Sequence, residues 1–313
     1  MTVDLIDGGM DTASAARIVS EVLRWLTVEP EAIEQMRATV PTHRDWLGLL
    51  DGEPVGFASC SVPSRMGIEE TRTASSALLV LRPARHHGVG GALYRRISSY
   101  AGELGRSELE MIAFADDPDS EGFAARHGFS VVSRAPSLRL RLADCPRPDV
   151  QLPEGLTLSS LAGRPDLGFG VWETACEAFA DIPYDGDSAM QTGTYEEFTA
   201  RRLAGPRFIP EATFVALAGD QVVGYGQLCW MNRGEGIGDH EMLAVRRAWR
   251  GRGIARALKA AQIAWAIDNG LSELRTNNEE RNSPARAVNA HFPYKPLPEK
   301  LLYHGPCAAA RIG

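Results

Sequence analysis

Two short stretches of this sequence hold the residue types needed to grip a diphosphate. Val245 to Leu258 reads V-R-R-A-W-R-G-R-G-I-A-R-A-L: a strand's end, a tight basic glycine turn and the first turn of a long helix. Backbone N–H groups and the positive end of a helix converge there on one point, which suits a pyrophosphate. Glycine at 251 and 253 permits the turn angles and lets the backbone approach phosphates with no Cβ in the way. An earlier stretch, Val80 to Leu93 (V-L-R-P-A-R-H-H-G-V-G-G-A-L), follows the same plan. Arg85, Gly88 and Gly90 stand where Arg250, Gly253 and Ala255 stand later, at a constant offset of 165 residues (250 − 85, 253 − 88, 255 − 90). One glycine turn is weak evidence, whereas one written twice at fixed spacing argues for a duplicated unit. Just upstream of the later turn, Asp239, His240 and Glu241 offer carboxylates and an imidazole for moving protons. Strand alternation puts Asp239 and Glu241 on one face and His240 on the other. Asn282 and Asn289 lie seven apart, two helical turns, and face one side.

These groups need strands and helices to hold them, and the pattern supplies both twice over. Asp11 opens a helical run through Ile18, Val19, Val22, Leu23 and Leu26, with Asp11 or Thr12 as N-cap, and a short helix follows Pro30. Trp46 to Leu50, the turn Asp51-Gly52 and Pro54 to Cys60 read as a hairpin. Leu78 to Leu81 is the strand entering the first glycine turn and Val89 to Leu104 its helix. Leu109 to Ala115 is strand-like, Ser120 to His127 helical, and Phe129 to Val132 with Leu138 to Leu142 complete a sheet. Three prolines between Asp144 and Pro153 mark a junction, so that residues 1–146 and 150–313 form two domains. The second repeats the order: a strand at Leu156 to Ser160, helices at Leu167 to Phe179 and Tyr195 to Leu203, and a hairpin of Thr213 to Leu217 with Val222 to Trp230. Met242 to Val245 enters the later turn. Ile254 to Asn269 is its helix, ended by Gly270, and Leu274 to Thr276 is the next strand.

A chain of 313 residues with 44% hydrophobic content has room for two cores. A net charge of −7 argues against broad nucleic-acid binding. Arg252, Arg256 and Lys259 still make a local basic spot, either for phosphates or as a solvated helix face. Cys60, Cys145, Cys176, Cys229 and Cys307 are scattered without C-x-x-C spacing, as reduced thiols of a cytoplasmic protein would be. The first ten residues lack a signal pattern, and no apolar run approaches the ~18 residues of a membrane span. His86 and His87 are adjacent on a turn and splay apart, so no metal site is expected.

The two turns resemble the signature of the GNAT superfamily of acyl-CoA-dependent N-acyltransferases: Arg or Gln, two residues, Gly, one residue, then Gly or Ala. The later copy is also similar downstream. Asn282, Ala285 and Asn289 fall where the family writes N-x-x-a-x-x-x-Y, with Asn289 in place of the tyrosine and Pro293-Tyr294 in place of Gly-Phe. The earlier copy keeps Gly128-Phe129 but has Ala124 at the tyrosine position and Ser76 opposite Glu241 by the 165-residue offset. The resemblance implies an α+β, mixed α/β fold of two tandem GNAT domains, each a mostly antiparallel mixed sheet flanked by helices.

It further implies acetyl-CoA as cofactor and a small-molecule primary amine as acceptor; charge and hydropathy argue for no nucleic-acid or membrane partner, and the sequence leaves open a monomer of two pseudo-symmetric domains or a homodimer. Leu243, Ala244, Val245, Arg250, Gly251, Arg252, Gly253, Ile254, Ala255, Asn282 and Asn289 would hold the cofactor, with the Leu243 amide toward the thioester oxygen. Glu241 would be the general base and His240 the alternative. With no tyrosine at 289, either Asn289 would only hydrogen-bond while Tyr294, Tyr303 or water protonates the leaving thiolate, or the thiolate would leave unprotonated. Leu78, Val80, Arg85, Gly88, Val89 and Gly90 form a possible second cofactor site in a degenerate first domain. The polar run from Ala180 to Thr194 is either acceptor-binding or a surface loop. A non-catalytic acyl-CoA-binding protein is the alternative function. A dinucleotide oxidoreductase fits poorly, because neither turn reads G-x-G-x-x-G.

Overall fold

The computed structural model describes residues 1–23, 27–62, 72–182, 192–277 and 282–308. The chain forms two compact units, Met1–Arg134 with Glu299–Gly313, and Ala135–Pro298. The prolines from Pro146 to Pro153 therefore lie inside the second unit, and the end of the chain returns to the first.

In the first unit the strands are β1 (Val3–Asp7), β2 (Arg44–Leu50), β3 (Glu53–Ser61), β4 (Thr73–Val80) and β5 (Glu108–Phe114). The helices are α1 (Thr12–Val22), α2 (Pro30–Thr39), α3 (Val89–Glu103) and α4 (Pro118–Arg126). Asp11 caps α1, its carboxylate accepting from the Ser14 amide at 3.0 Å. Leu26, expected in that helix, lies outside the described residues. Strand alternation divides the core: Trp46, Ala58 and Leu93 pack on the α3 face, Leu47, Phe57 and Ile18 on the α1 and α2 face. Phe129 to Val132 and Leu138 to Leu142, expected as separate strands, are one strand, β6 (Ser130–Arg141), which runs on through Pro136.

The second unit contains β7 (Leu156–Ser160), α5 (Gly168–Phe179), α6 (Tyr195–Arg202), β8 (Phe214–Ala218), β9 (Gln221–Asn232), β10 (Ile237–Val245), α7 (Ile254–Asp268), β11 (Glu273–Asn277) and α8 (Ser283–Asn289). Its strands pair in the order β7, β8, β9, β10, β11, all antiparallel except β10 with β11. Those of the first unit pair as β1, β2, β3, β4, β5, again with one parallel step, β4 with β5. Beyond β5 lies β12 (Lys295–Pro306), whose Lys300–Pro306 segment runs antiparallel to it. In the second unit that place beside β11 is filled by Ser137 to Arg141 of β6. Each unit thus completes its sheet with a strand from the other half of the sequence.

Candidate active site

The head of α7 is open. Gly253 is its N-cap at φ 87°, no side chain caps it, and the first intrahelical bond runs from the Ala257 amide to the Gly253 carbonyl at 3.1 Å. The amides from Gly253 to Arg256 are therefore left without helical acceptors. Gly251 at φ 74° and Gly253 have no atom within 4 Å of where a Cβ would stand, so the turn forms an uncovered cradle of N–H groups. The arginines are not aimed into it. Arg250 Nε donates to the Val245 carbonyl at 3.0 Å and its guanidinium pairs with Asp181 at 2.8 Å. Hydrogen bonds from Arg247 and Arg250 hold the Asp181 carboxyl down to about 2. Arg252 lies over the Trp249 ring and donates to the Ala248 carbonyl. Lys259, expected in the basic spot with Arg252 and Arg256, is only 3% exposed and takes no part in it.

A fork in the sheet adjoins the cradle. The β10–β11 ladder ends at Asp239 and Arg275, and the strands then part. The Arg246 amide donates to the Val223 carbonyl, so by alternation the amides of Leu243 and Val245 turn away from β9 and front the fork. A bulge at Glu241 interrupts the β9 pairing: His240 faces Leu228 and Met242 faces Gln227. Ladder register on both sides then matches His240, not Glu241, to Ser76 of the first unit, and Glu241 is an added residue. This corrects the equivalence read from the 165-residue offset, which holds only beyond the bulge.

Glu241 and Met242 both turn to the α5 and α6 face. Met242 packs with Phe179 and Tyr225, and a Glu241 oxygen accepts a very short bond from Arg202, the last residue of α6. The other oxygen stands 3.9 Å from Arg207. Arg202 is placed by a capping box that fixes α6, in which the Thr194 hydroxyl accepts from the Glu197 amide and the Glu197 carboxylate accepts from the Thr194 amide. Of the polar excursion before α6, residues 183–191 lie outside the described residues.

His240 turns to the α7 face. Its Nδ1 lies 2.9 Å from Gln262 Oε1 and its Nε2 lies 2.7 Å from the Tyr294 hydroxyl. The carbonyl oxygen of Gln262 only accepts, so Nδ1 carries the hydrogen and Nε2 accepts the hydrogen bond of the tyrosine hydroxyl. Burial, then the nearby Lys259, hold the imidazole well below its ordinary value, so it is neutral. Burial first, and the charges of Cys145 and Asp239, push the Tyr294 phenol well up. Gly226 makes room for Gln262: a Cβ there would stand 3.1 Å from Gln262 Nε2.

Lys259 and Asn289 complete the group. Lys259 Nζ donates a very short bond to Asn289 Oδ1 and lies 5.2 Å from the Tyr294 ring centroid. Burial pulls the ammonium down to about 7, with Asp239 opposing. That shift weighs about 5 kcal/mol against the charged form. Asn289 is 3% exposed, and its Nδ2 has no partner among the described residues. Asn282 is the N-cap of α8, its side chain accepting from the Ala285 amide at 3.2 Å. The two asparagines thus stand at opposite ends of a seven-residue helix.

The first unit has the turn without this chemistry. Gly88 caps α3 at φ 89°, but His86, at φ 65°, replaces the first glycine. Arg85 pairs with Asp117 and Asp119, and His86 with Asp119, so two carboxylates stand at that turn. The Ser76 hydroxyl donates to the Glu110 carbonyl at 2.9 Å, bridging the fork. At the places of Lys259, Gln262, Asn289 and Tyr294 stand Tyr94, Ile97, Ala124 and Phe129, all buried in the apolar core.

Comparison with known proteins decides the family, because the acetyltransferase (GNAT) family matches residues 16–129 and 174–291, most of both units. The chain belongs to the GNAT acetyltransferases. It is accordingly an N-acetyltransferase, of a family that draws its acetyl group from acetyl-CoA. The mycothiol acetyltransferase of Geodermatophilus obscurus is 30% identical over 241 residues, covering 75% of this chain and 73% of that one. That of Thermomonospora curvata is 27% identical over 84% of this chain and 82% of its own. Among solved structures, a tandem GNAT protein from the clavulanic acid biosynthesis pathway, without acetyl-CoA, covers 99% of this chain and 100% of that one at a TM-score of 0.75 and 17% identity. A GCN5-related N-acetyltransferase from Sphaerobacter thermophilus covers 98% of this chain and 96% of that one at a TM-score of 0.69 and 20% identity. The tandem GNAT fold expected from the two turns is the fold of this chain.

Sequence reasoning reached Glu241, His240, Tyr294 and Asn289 but passed over Lys259 and Gln262 as members of one group. Their signal lies in α7, where the two polar side chains fall three apart in a run that is otherwise apolar from Ala257 to Ile267. A helix apolar all round is buried, and so are the polar residues within it.

Proposed function

We propose that the second unit moves the acetyl group of acetyl-CoA to the primary amine of a small molecule by direct attack. The observation that carries this reading is the continuity of the open fork, lined by the Leu243 and Val245 amides, with the uncapped head of α7. That arrangement fits a ligand with a diphosphate at one end and a hydrogen-bonding chain leading from it. Acetyl-CoA supplies an activated acyl carbon and a thiol leaving group. The amides of Gly253 to Ala255 take the diphosphate, and that of Leu243 faces oxygen charge developing at the acyl carbon. Arg202 fixes Glu241 by one oxygen, and the other accepts the amine's proton, directly or through water. The first unit, with Asp117 and Asp119 at its turn and its fork bridged by Ser76, is a scaffold or holds acetyl-CoA at Leu78, Val80, Arg85, Gly88, Val89 and Gly90 without turnover.

The relatives named for mycothiol acetylation make mycothiol-related amines the first acceptors to assay, within a wider panel of primary amines. Release of free thiol from acetyl-CoA should rise when the right amine is added. Glu241→Gln should lower kcat by about 10²-fold or more at neutral pH, with the KM for acetyl-CoA little changed. An unaltered rate in that variant removes Glu241 as the base and leaves the acetyl transfer standing.

A further inference from the structure

We propose that Lys259 is the acid of the acetyl transfer, delivering a proton to the sulfur that leaves at the fork of β10 and β11. The proposal rests on the acetyl-CoA reading above and adds to it a residue that reading does not use.

Three independent observations carry it. The first is place. Asp239 is the last β10 residue paired with β11, His240 is the first beyond it, and Thr276 follows Arg275, the last paired residue of β11. Lys259 reaches this point from α7, held by Asn289 from α8 and set against Tyr294, whose hydroxyl meets His240. The second is contrast within the chain. The first unit has apolar or aromatic core at the corresponding places, so the fold itself does not require a lysine, an asparagine and a tyrosine there. The third is the choice of cation. Of the chain's 33 basic residues only Lys259, Lys295 and Lys300 are lysines. Arginine keeps its proton at any ordinary pH, whereas a buried lysine can give its proton up. The one buried position with a cation of its own, and with no ion pair among the described residues, carries the side chain whose proton is transferable.

The groups facing Lys259 suit this task. Asn289 Oδ1 orients the ammonium without neutralising it, and the imidazole of His240 is neutral. Tyr294 presents its ring and keeps its proton toward His240, and the charge of Asp239 works against burial. Desolvation brings the ammonium to about 7, where it is acidic enough to protonate a thiolate and about half of it is still charged at neutral pH. In the step itself the amine nitrogen bonds to the acyl carbon while the carbon–sulfur bond breaks. The sulfur departs with the bonding pair and takes a proton from Lys259. The proton lost by the amine goes to Glu241, and exchange with solvent restores both groups.

The test begins with the protein free of substrate. With lysine labelled at Cε, the three lysines give three NMR signals. One should titrate near pH 7 and be missing from Lys259→Met. Coenzyme A should raise that titration by at least one pH unit, and desulfo-coenzyme A, which lacks the sulfur, should not. In turnover, wild-type kcat should fall as pH rises above about 7, following loss of the ammonium. Lys259→Met should lose about 10²-fold in kcat at pH 6.5 and lack that falling limb, with KM for acetyl-CoA within twofold. A lysine signal blind to the sulfur, or a limb that survives in Lys259→Met, overturns the assignment. A wild-type protein that binds neither coenzyme A nor its desulfo analogue overturns the acetyl-CoA reading along with it.

Discussion

Lys259 destabilises the fold it sits in, and the sign of its pH dependence can be worked out. In the unfolded chain the ammonium titrates near 10.5, in the folded protein at about 7. Between those values the unfolded chain binds more protons, so stability climbs as pH rises through that window. Below about pH 7 both states are charged and the penalty is fully present. Lys259→Met should therefore stabilise the protein at pH 6.5 by about 1–4 kcal/mol, and by clearly less at pH 9.5, in urea denaturation. An equal gain at both pH values would trace the effect to packing rather than to charge. Glu241 shows a different limit of residue-level reading. Its acidity and its place before a glycine turn are plain in the sequence, but the bulge that re-aims it toward Arg202 exists only in the pairing of β10 with β9. Counting residues aligned it with Ser76, because an extra residue in a strand leaves no local mark.

At the scale of elements, the glycine turns were legible because they combine two local signals, a positive-φ residue and a helix start. Gly253, at φ 87°, is where both meet. Gly253→Asp puts an L side chain into a left-handed conformation, at about 1–2 kcal/mol, and a carboxylate at the helix head where the diphosphate should lie. Titration calorimetry should find acetyl-CoA affinity reduced at least tenfold. Gly253→Ala, which brings the same strain without the charge, should lose less. If the two variants bind alike, backbone geometry rather than anion repulsion governs the loss. What the elements did not reveal from sequence is the fork. Parting of β10 from β11 depends on where a parallel ladder stops, a property of two strands separated by α7, and no residue at Asp239 or Arg275 announces it.

Across the whole chain, the duplication is written plainly, yet the composition that marked a junction near Pro146 to Pro153 does not coincide with the boundary of the units. Prolines report a segment that neither continues a strand nor starts a helix, and such a segment can lie within a unit as easily as between two. What decides membership here is strand pairing at long range: Ser137 to Arg141 lie beside β11, and Lys300 to Pro306 lie beside β5. Leu140 and Leu142 add to the core formed by Leu228, Ile263 and Leu274, while Leu301 and Tyr303 are buried with Leu93, Ile97 and Leu109. A fragment of residues 150–313 would lose the β6 segment that pairs with β11 and leave β11 exposed, and would carry Lys300 to Pro306 without β5. A fragment of residues 135–298 keeps β6's pairing segment and drops the part that belongs elsewhere. The shorter-tailed fragment should therefore melt cooperatively by circular dichroism, and the 150–313 fragment should aggregate or show no cooperative transition. The reverse outcome would mean that the junction read from the prolines, and not the exchanged strands, separates the folding units.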